Sequence, residues 1–227
     1  MTNTPLPLGL ADQSLSTKIY EVLRERIIEG AIAAGERIRE RELAEELGVS
    51  RIPVREALPR LESEGFIRIV PRRGAIVTNM SMRDIEELFQ VRSSLEVLAA
   101  RLAAEACASG TSGDRLIRLQ RQSEKATKAR DDRAIAAANS ALHEEILAVS
   151  GNELLISMMG PINGRVRRLF RITSDRDQQI LCDEHRDLCQ AIINGQPDLA
   201  ASLAHFHVEK SRTDTMALLH SRTNPLD

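Results

Sequence analysis

The chain has 227 residues, of which 42 % are apolar and only 2 % aromatic, and its formal net charge is −2. This length is enough for two small domains, and a core with so few aromatic side chains must be aliphatic, which suits helices. The near-neutral charge argues against a protein that packs DNA without sequence preference. No apolar run approaches the roughly 20 residues of a membrane span, and no signal peptide is evident. Three cysteines give no disulfide framework, so we expect a protein of the reducing cytoplasm that meets no membrane.

The first 79 residues predict three helices followed by a β-hairpin. Ser16 or Thr17 is expected to cap a first amphipathic helix, which ends near Gly30. The segment AIAAGERIRE is predicted to be a turn, and RERELAEELG a short helix that ends at Gly48. After Gly65, the segments FIRIV and AIVT predict two strands joined by the turn PRRG.

The helix that follows Ser50 opens with basic side chains. Ser50 is expected to cap it through its hydroxyl, and Arg51 and Arg55 lie on a face separate from the apolar one. From Arg51 to Arg73, six arginines stand against three glutamates, a local charge of +3. An ordinary capped surface helix would explain these residues without any ligand.

The order of helix, short helix, turn, helix and hairpin predicts a winged helix-turn-helix. In this arrangement the recognition helix enters the DNA major groove by its N-terminal end. Arg51 and Arg55 could then reach phosphates or guanine edges. Arg72 and Arg73, at the tip of the predicted hairpin, could enter the minor groove or hold the backbone.

From Ser81 onward, helical periodicity continues to about residue 220. Ser81 and Asp84 form a capping box at the start of a long helix that extends to about Ala108. Further helices are predicted near residues 112–130, 132–149, 153–173, 176–194 and 197–220. We therefore expect a mainly α protein, with a winged helix-turn-helix domain over residues 1–79 and an all-α antiparallel bundle of about six helices over residues 80–227.

Three of the five histidines fall on three different predicted helices. His143 lies four residues after Asn139, His185 lies in the middle of a helix, and His207 lies on the inward stripe of the last helix. Imidazoles from several helices can converge in a bundle core and bind a divalent metal such as zinc or nickel. Three separately satisfied histidines are one alternative. A thiolate zinc site on a single helix face is another, made by Cys182, His185 and Cys189.

These motifs resemble a known family of bacterial transcription regulators. GERIRERELAEELGVSRIPVREALPRLESEGFIRIVPRRGAIV is similar to the winged-helix domain of the GntR family, and the likeness covers nearly the whole of residues 17–79. The remainder resembles the helical FCD effector domain of the FadR-type branch, through VRSSLE, NSALHEEILAVSGN and EHRDLCQAIINGQPDLAASLAHFH. His185 and His207 are 22 residues apart, as the last two metal ligands of that domain usually are.

The resemblance implies which residues contact DNA. The positions at which relatives do so hold Arg41, Ser50, Arg51, Ile52, Pro53, Arg55, Arg73 and Gly74. Ile52 stands where threonine is frequent, so it offers a methyl contact instead of a hydroxyl. Pro59 stands where relatives carry a helix-forming residue, and we expect it to bend the recognition helix at a cost of roughly 3 kcal/mol.

The resemblance also implies a metal and effector site. Relatives often bind a divalent metal through one Asp and three His; the three histidines match, and Asn139 replaces the Asp. Because an amide oxygen is a weaker ligand than a carboxylate, the metal is expected to bind weakly and to retain more positive charge for an anionic effector. Arg92 matches an arginine that points toward this pocket in relatives and could hold a carboxylate. The alternative for Arg92 is a surface pair with Glu96, four residues further along the helix.

The sequence therefore predicts a sequence-specific, DNA-binding transcription regulator, which we expect to be a repressor. It is expected to read palindromic operator DNA as a homodimer and to bind a small organic acid, without an organic cofactor. The alternative is a metal-dependent enzyme that uses the three-histidine site, with Glu144 or Glu184 as a base. The DNA-binding half, which an enzyme would not need, argues against that alternative.

Overall fold

A computed structural model of the protein describes residues 14–71, 74–173 and 177–223. The chain divides into two compact units, residues 1–79 and residues 80–227. Each unit buries an aliphatic core of its own. Among the helices of the described ranges, none combines the length and the apolar character that crossing a bilayer requires.

The first unit combines helices with a small sheet. Its described residues form, in chain order, α1 (Leu15–Ile28), β1 (Arg37–Ile38), α2 (Glu40–Leu47), α3 (Arg51–Ser63), β2 (Ile67–Val70) and β3 (Gly74–Val77). The strands are antiparallel, in the order β1-β3-β2. Between helices and sheet, the side chains of Leu23, Val54, Leu61 and Phe66 are completely buried. This is the predicted winged helix-turn-helix arrangement.

The turn between α2 and α3 depends on one glycine. Gly48 adopts a left-handed conformation, with φ of 66°, which a residue without a side chain reaches at little cost. The chain then reverses through Val49, whose N–H donates to the carbonyl of Ala44 at 3.0 Å. α3 can therefore begin at Arg51, only two residues later.

Two details at the start of the first unit differ from the sequence prediction. α1 is capped by Ser14, whose hydroxyl accepts the N–H of Thr17 at 3.2 Å, and not by Ser16 or Thr17. β1 falls within the segment predicted to be a turn. A strand of two residues shows no alternation in the sequence, and it is stabilised by the pairing of Arg37 and Ile38 with β3.

The ends of α3 also depart in part from expectation. Ser50 occupies the N-cap position, but its hydroxyl makes no capping hydrogen bond. Pro53 at the third helical position has no N–H, which removes one of the two donors that an N-cap hydroxyl can accept. α3 continues through Pro59 to Ser63, so this proline does not break the helix, and the expected bend stays a prediction.

The second unit is helical throughout its described residues. It contains α4 (Met82–Ala108), α5 (Asp114–Ala129), α6 (Asp132–Val149), α7 (Glu153–Ile172), α8 (Gln178–Ile193) and α9 (Pro197–Thr223). α4 packs against α6, α7, α8 and α9. Small buried residues allow this close approach, namely Ala99, Ala100, Ala103 and Ala104. The predicted fold class, a mainly α protein with a six-helix second half, is confirmed.

Side-chain caps determine where several of these helices begin. The predicted capping box is present: the N–H of Asp84 donates to the Ser81 hydroxyl at 3.2 Å, and the N–H of Ser81 donates to the Asp84 carboxylate at 2.8 Å. At α6, α7 and α8, a side-chain oxygen of Asp131, Asn152 and Asp177 accepts backbone N–H groups of the first turn. His143 on α6 and His185 on α8 therefore lie on helices with well-defined starts.

Candidate nucleic-acid interface and candidate metal centre

The N-terminal end of α3 carries three exposed side chains. Arg51, Ile52 and Arg55 are 59 %, 68 % and 65 % exposed. Forked donors at the start of a recognition helix are the groups that reach bases and phosphates in helix-turn-helix proteins. The structure thus places these three residues at a surface that DNA can approach.

Both arginines also meet a carboxylate to which no sequence motif pointed. Glu40 is the first residue of α2, and its Oε2 accepts hydrogen bonds from Nε and Nη2 of Arg55 at 3.1 and 3.0 Å. Nη2 of Arg51 lies 3.8 Å from the same oxygen. Glu40 and Arg55 are 15 residues apart, so no helical spacing in the sequence announces this contact.

The other residues predicted to contact DNA have different surroundings. Arg41 lies at the surface of α2, with its Nε 3.7 Å from the carboxylate of Glu45. Pro53 is buried in α3, so little of its ring is exposed to a ligand. Gly74 begins β3, and it has a φ of 84° and packs against the backbone of Ile38. Arg73 lies outside the described residues, as does Arg72.

A buried carboxylate holds the C-terminal end of α3 against α1. Glu64, directly after α3, accepts hydrogen bonds from the Tyr20 hydroxyl at 2.6 Å and from Nε of Arg24 at 3.3 Å. The guanidinium of Arg60 lies 3.7 Å from the centroid of the Tyr20 ring. Burial and the hydrogen bond to Glu64 raise the pKa of Tyr20 to about 12, so the phenol stays protonated and keeps donating. One end of the helix is anchored while the other lies at the surface.

Three helices of the second unit bring the predicted histidines together. The ligand atoms of His143 on α6, His185 on α8 and His207 on α9 all lie within 4.8 Å of one another. In the tetrahedral geometry of zinc, two nitrogen ligands lie about 3.4 Å apart, because the zinc–nitrogen distance is about 2.1 Å. The rings would therefore have to close by up to about 1.4 Å to complete a three-nitrogen set. Neutral imidazoles suit zinc and nickel, so the residues present fit a divalent metal.

Two carboxylates lie against these rings. Oε2 of Glu184 is 2.9 Å from Nδ1 of His207, and Oε2 of Glu96 is 3.5 Å from Nδ1 of His143. A carboxylate at one ring nitrogen fixes the tautomer and leaves the other nitrogen for a ligand. Sequence reasoning considered these glutamates only as an enzymatic base and as a partner of Arg92, because their proximity to the histidines arises from helix packing.

Two family models match the chain. The model described as bacterial regulatory proteins, gntR family, matches residues 15–77, and the FCD domain model matches residues 87–210. The chain belongs to the GntR family and carries an FCD domain. The family predicted from the sequence is confirmed.

Individual relatives agree with this assignment. The GntR-family chain is 30 % identical to the HTH-type transcriptional regulator YdhC of Bacillus subtilis (strain 168) over 198 residues, which are 84 % of this chain and 87 % of YdhC. It is 38 % identical to the HTH-type transcriptional repressor RspR of Escherichia coli (strain K12) over 92 residues, 40 % of each chain. The solved structure of E. coli McbR/YncC shares the fold, with a TM-score of 0.78 at 23 % identity over 93 % of this chain and 100 % of that one. The chain is a DNA-binding transcription regulator and not an enzyme.

Arg92 lies inside the FCD domain and is completely buried. Its Nε donates to Glu96 Oε1 at 2.6 Å and its Nη2 to Glu96 Oε2 at 3.3 Å. The pair with Glu96 is therefore real, but it is not at the surface as that alternative supposed. Burial alone would raise the pKa of Glu96, but the charges of Arg92 and His143 and the hydrogen bond from Arg92 lower it to about 2. Among the described residues, no group accepts a hydrogen bond from Nη1 of Arg92.

Asn139 lies one turn before His143 on α6, as predicted from the spacing, and is half-buried. Its Oδ1 accepts a hydrogen bond of 3.4 Å from the hydroxyl of Ser123 on α5. The amide oxygen is thus already engaged by the protein. As a metal ligand, it would have to share or leave this hydrogen bond.

The thiolate site considered as an alternative does not form. Within the described ranges, the three histidines are the one cluster of three or more potential metal ligands, and it includes no cysteine. Cys182 and Cys189 are both buried. Burial raises the pKa of Cys189 to about 12, which disfavours the thiolate that zinc requires.

A small cavity lies beside the histidine cluster. Its polar lining comes from Glu96, His143 and His207, and its apolar lining includes Ile146 and Met159. Its interior has room for about one water molecule. An effector larger than a few atoms must therefore enter from the mouth or move these side chains.

Proposed function

We propose that this GntR-family regulator is a homodimeric repressor that reads a palindromic operator with α3 and is controlled by a small organic acid bound in its FCD domain. The observation that carries the DNA-binding part is the exposed group of Arg51, Ile52 and Arg55 at the start of α3. The relative RspR is named a repressor, which supports the direction of regulation.

In this proposal, each residue at the start of α3 has its own task. Arg55 donates to a guanine edge, and Ile52 packs on a thymine methyl group. Arg51 holds a phosphate. The hydroxyl of Ser50, which makes no capping hydrogen bond, donates to a second phosphate beside the helix N-terminus.

The remaining residues predicted to contact DNA act beside the start of α3. Arg41 on α2 and Arg73 at the hairpin turn contact the backbone, while Gly74 lets β3 start close to β1. The buried ring of Pro53 does not touch DNA in this scheme. It shapes the start of α3 and keeps the Ser50 hydroxyl available.

The FCD domain would hold a divalent metal, such as zinc or nickel, through His143, His185 and His207. When bound, the metal supplies an open coordination position to the carboxylate of an effector. Asn139 adds at best an amide oxygen, so the effector itself provides the anionic ligand. Nη1 of Arg92 donates to the same carboxylate, since Nε and Nη2 are committed to Glu96.

Residues 80–227 would also form the dimer. Exposed apolar side chains recur seven residues apart on two helices, Val91 and Leu98 on α4 and Leu199 and Phe206 on α9. Residues seven apart share one helix face. α4 packs along α9, and Arg101 on α4 binds Asp198 on α9 at 2.7 Å at one end of this stretch. We call these four side chains the apolar patch and propose that it meets its counterpart in a second copy.

Selection of bound duplexes from a random pool tests the proposed function. The full-length protein should enrich a palindrome whose half-sites lie one or more helical turns apart. A candidate organic acid should then release the enriched duplex in the presence of zinc. Enrichment of unrelated sequences would contradict specific reading, and an operator complex insensitive to every small acid and metal would contradict the effector role.

A further inference from the structure

We infer that Glu40 determines specificity: its carboxylate orients Arg55 for a guanine edge and repels DNA phosphates from the same guanidinium. Glu40 is not among the residues that the motifs singled out. This inference rests on the proposed role of α3 as the helix that reads the operator.

The first part of the argument concerns the donors that Glu40 occupies. Oε2 of Glu40 receives Nε–H and one Nη2–H of Arg55, at 3.1 and 3.0 Å. A guanidinium has five N–H donors in a planar fork, so the donors of Nη1 and the outer one of Nη2 remain. Those outer donors form the end of the fork, which matches O6 and N7 of guanine. Glu40 thus occupies the donors on one side of the guanidinium. The outer donors of Nη1 and Nη2 remain available to bind a guanine edge.

The second part concerns how firmly the arginine is held. The Glu40 side chain is 22 % exposed, whereas that of Arg55 is 65 % exposed. The carboxylate is the fixed partner, at the first position of α2, and the long arginine reaches across to it. An exposed arginine normally loses much rotamer freedom when it binds, and fixing it in advance reduces that loss.

The third part concerns charge. The same Oε2 lies 3.8 Å from Nη2 of Arg51, so one negative charge is shared by two guanidiniums. A phosphate that approaches Arg55 carries a full negative charge and is repelled by Glu40. A guanine edge carries no net charge, so it meets much less repulsion. Because non-specific complexes rely on phosphate contacts, Glu40 weakens them more than it weakens the operator complex.

α2 provides a matched control for this charge effect. Glu42 lies two residues from Glu40 and pairs at 2.7 Å with Arg39, an arginine outside α3. Glu42→Gln therefore removes the same charge from the same short helix without touching the recognition helix. If only the overall electrostatic field of the protein mattered, Glu40→Gln and Glu42→Gln would change DNA binding equally.

The experiment compares full-length wild type, Glu40→Gln, Glu42→Gln and Arg55→Ala on two duplexes, the selected operator and a scrambled duplex of equal length. Fluorescence anisotropy gives both dissociation constants at several salt concentrations, and circular dichroism confirms folding. Glu40→Gln should bind the scrambled duplex more tightly and reduce the specificity ratio about tenfold, within the range of one arginine–guanine contact. Glu42→Gln should tighten both complexes alike and leave the ratio within about twofold.

The outcomes separate this inference from the function on which it rests. If the ratio of Glu40→Gln equals that of wild type or of Glu42→Gln while Arg55→Ala loses operator preference, the role of Glu40 is wrong and the reading by α3 stands. If Arg55→Ala still prefers the operator over the scrambled duplex as strongly as wild type does, the proposed role of α3 as the recognition helix is itself wrong. Glu40→Ala adds a further readout, since loss of the acceptor should also weaken operator binding itself.

Discussion

Exposure decides how much each arginine pair contributes in this regulator. Arg41 and Glu45 are 75 % and 70 % exposed, and such pairs contribute about 0–1 kcal/mol. Arg92 and Glu96 are 1 % and 12 % exposed. Breaking a buried pair costs about 3–5 kcal/mol, because it leaves an uncompensated charge. Arg55 lies between these cases, ordered by Glu40 and still accessible to a ligand.

Arg55→Ala is expected to reduce operator preference strongly without affecting the fold. One bidentate arginine–guanine contact contributes about 1–3 kcal/mol of discrimination, and the side chain lies outside the core. Anisotropy with operator and scrambled duplexes measures the loss. Arg39→Ala removes an exposed arginine that is not on α3 and should preserve the preference. Equal affinities of Arg55→Ala and wild type for the operator would refute the role assigned to Arg55.

Asn139→Asp is expected to tighten metal binding and weaken the binding of an acidic effector. The new carboxylate adds a charged ligand on the same helix as His143, and it repels an anion that would occupy the same coordination position. Because imidazole must be neutral to bind, metal occupancy should decline as the pH falls toward about 6.5. Titration calorimetry with zinc, nickel and small carboxylates measures both effects.

Two controls define the metal prediction. His207→Ala should remove metal binding in both backgrounds, and Asn139→Ser tests loss of the amide without added charge. If neither wild type nor Asn139→Asp binds zinc or nickel even at a pH of about 8, well above the ordinary imidazole pKa of about 6.5, the three histidines only pack the core. The effector would then depend on Arg92 alone.

At the scale of elements, local signals predicted most of this fold. In the sequence, apolar residues recur with helical spacing over long segments, and capping residues such as Ser81 and Asp84 mark helix starts. The segment PRRG is a strong sequence signal for the hairpin turn. β1 was missed because two residues carry no period and its stability comes from β3. The contact of Glu40 with Arg55 and the burial of the Arg92–Glu96 pair were also missed. Each depends on how helices pack, which spacing along one helix does not reveal.

Gly74→Ala is expected to destabilise the hairpin and its pairing with β1. Gly74 has a φ of 84°, and an added Cβ would collide with the carbonyl oxygen of Ile38. Gly35 is a matched control, since its φ is 81° but a Cβ there would meet nothing within 4 Å. In both variants, alanine in the left-handed conformation costs about 1–3 kcal/mol. Gly74→Ala adds the collision to this cost, so it should lower the free energy of unfolding more than Gly35→Ala does. Urea denaturation measures both; equal losses would show that the collision relaxes.

At the scale of the whole molecule, local charge matters more than net charge. The chain has a net charge of −2, yet the segment from Arg51 to Arg73 has six arginines and three glutamates, a local charge of +3. A dimer would bring two such segments to one operator. Because each neutralised phosphate releases counterions, affinity then depends on salt through both copies together.

Phe206→Glu is expected to produce a monomer whose DNA binding is weaker and less dependent on salt. Phe206 is 57 % exposed on α9 and belongs to the apolar patch, where a second copy would bury the new carboxylate without a partner. The slope of log affinity against log salt is about −0.9 for each phosphate that the protein neutralises. With one copy of α3 on the DNA in place of two, the slope should be about half that of wild type. Leu154→Glu changes a residue on α7 that is 70 % exposed and should leave the dimer intact.

Sedimentation velocity and anisotropy in a salt series measure the two effects. A dimeric Phe206→Glu with an unchanged slope would contradict the proposed patch, and a monomeric Leu154→Glu would move the dimer contact to α7.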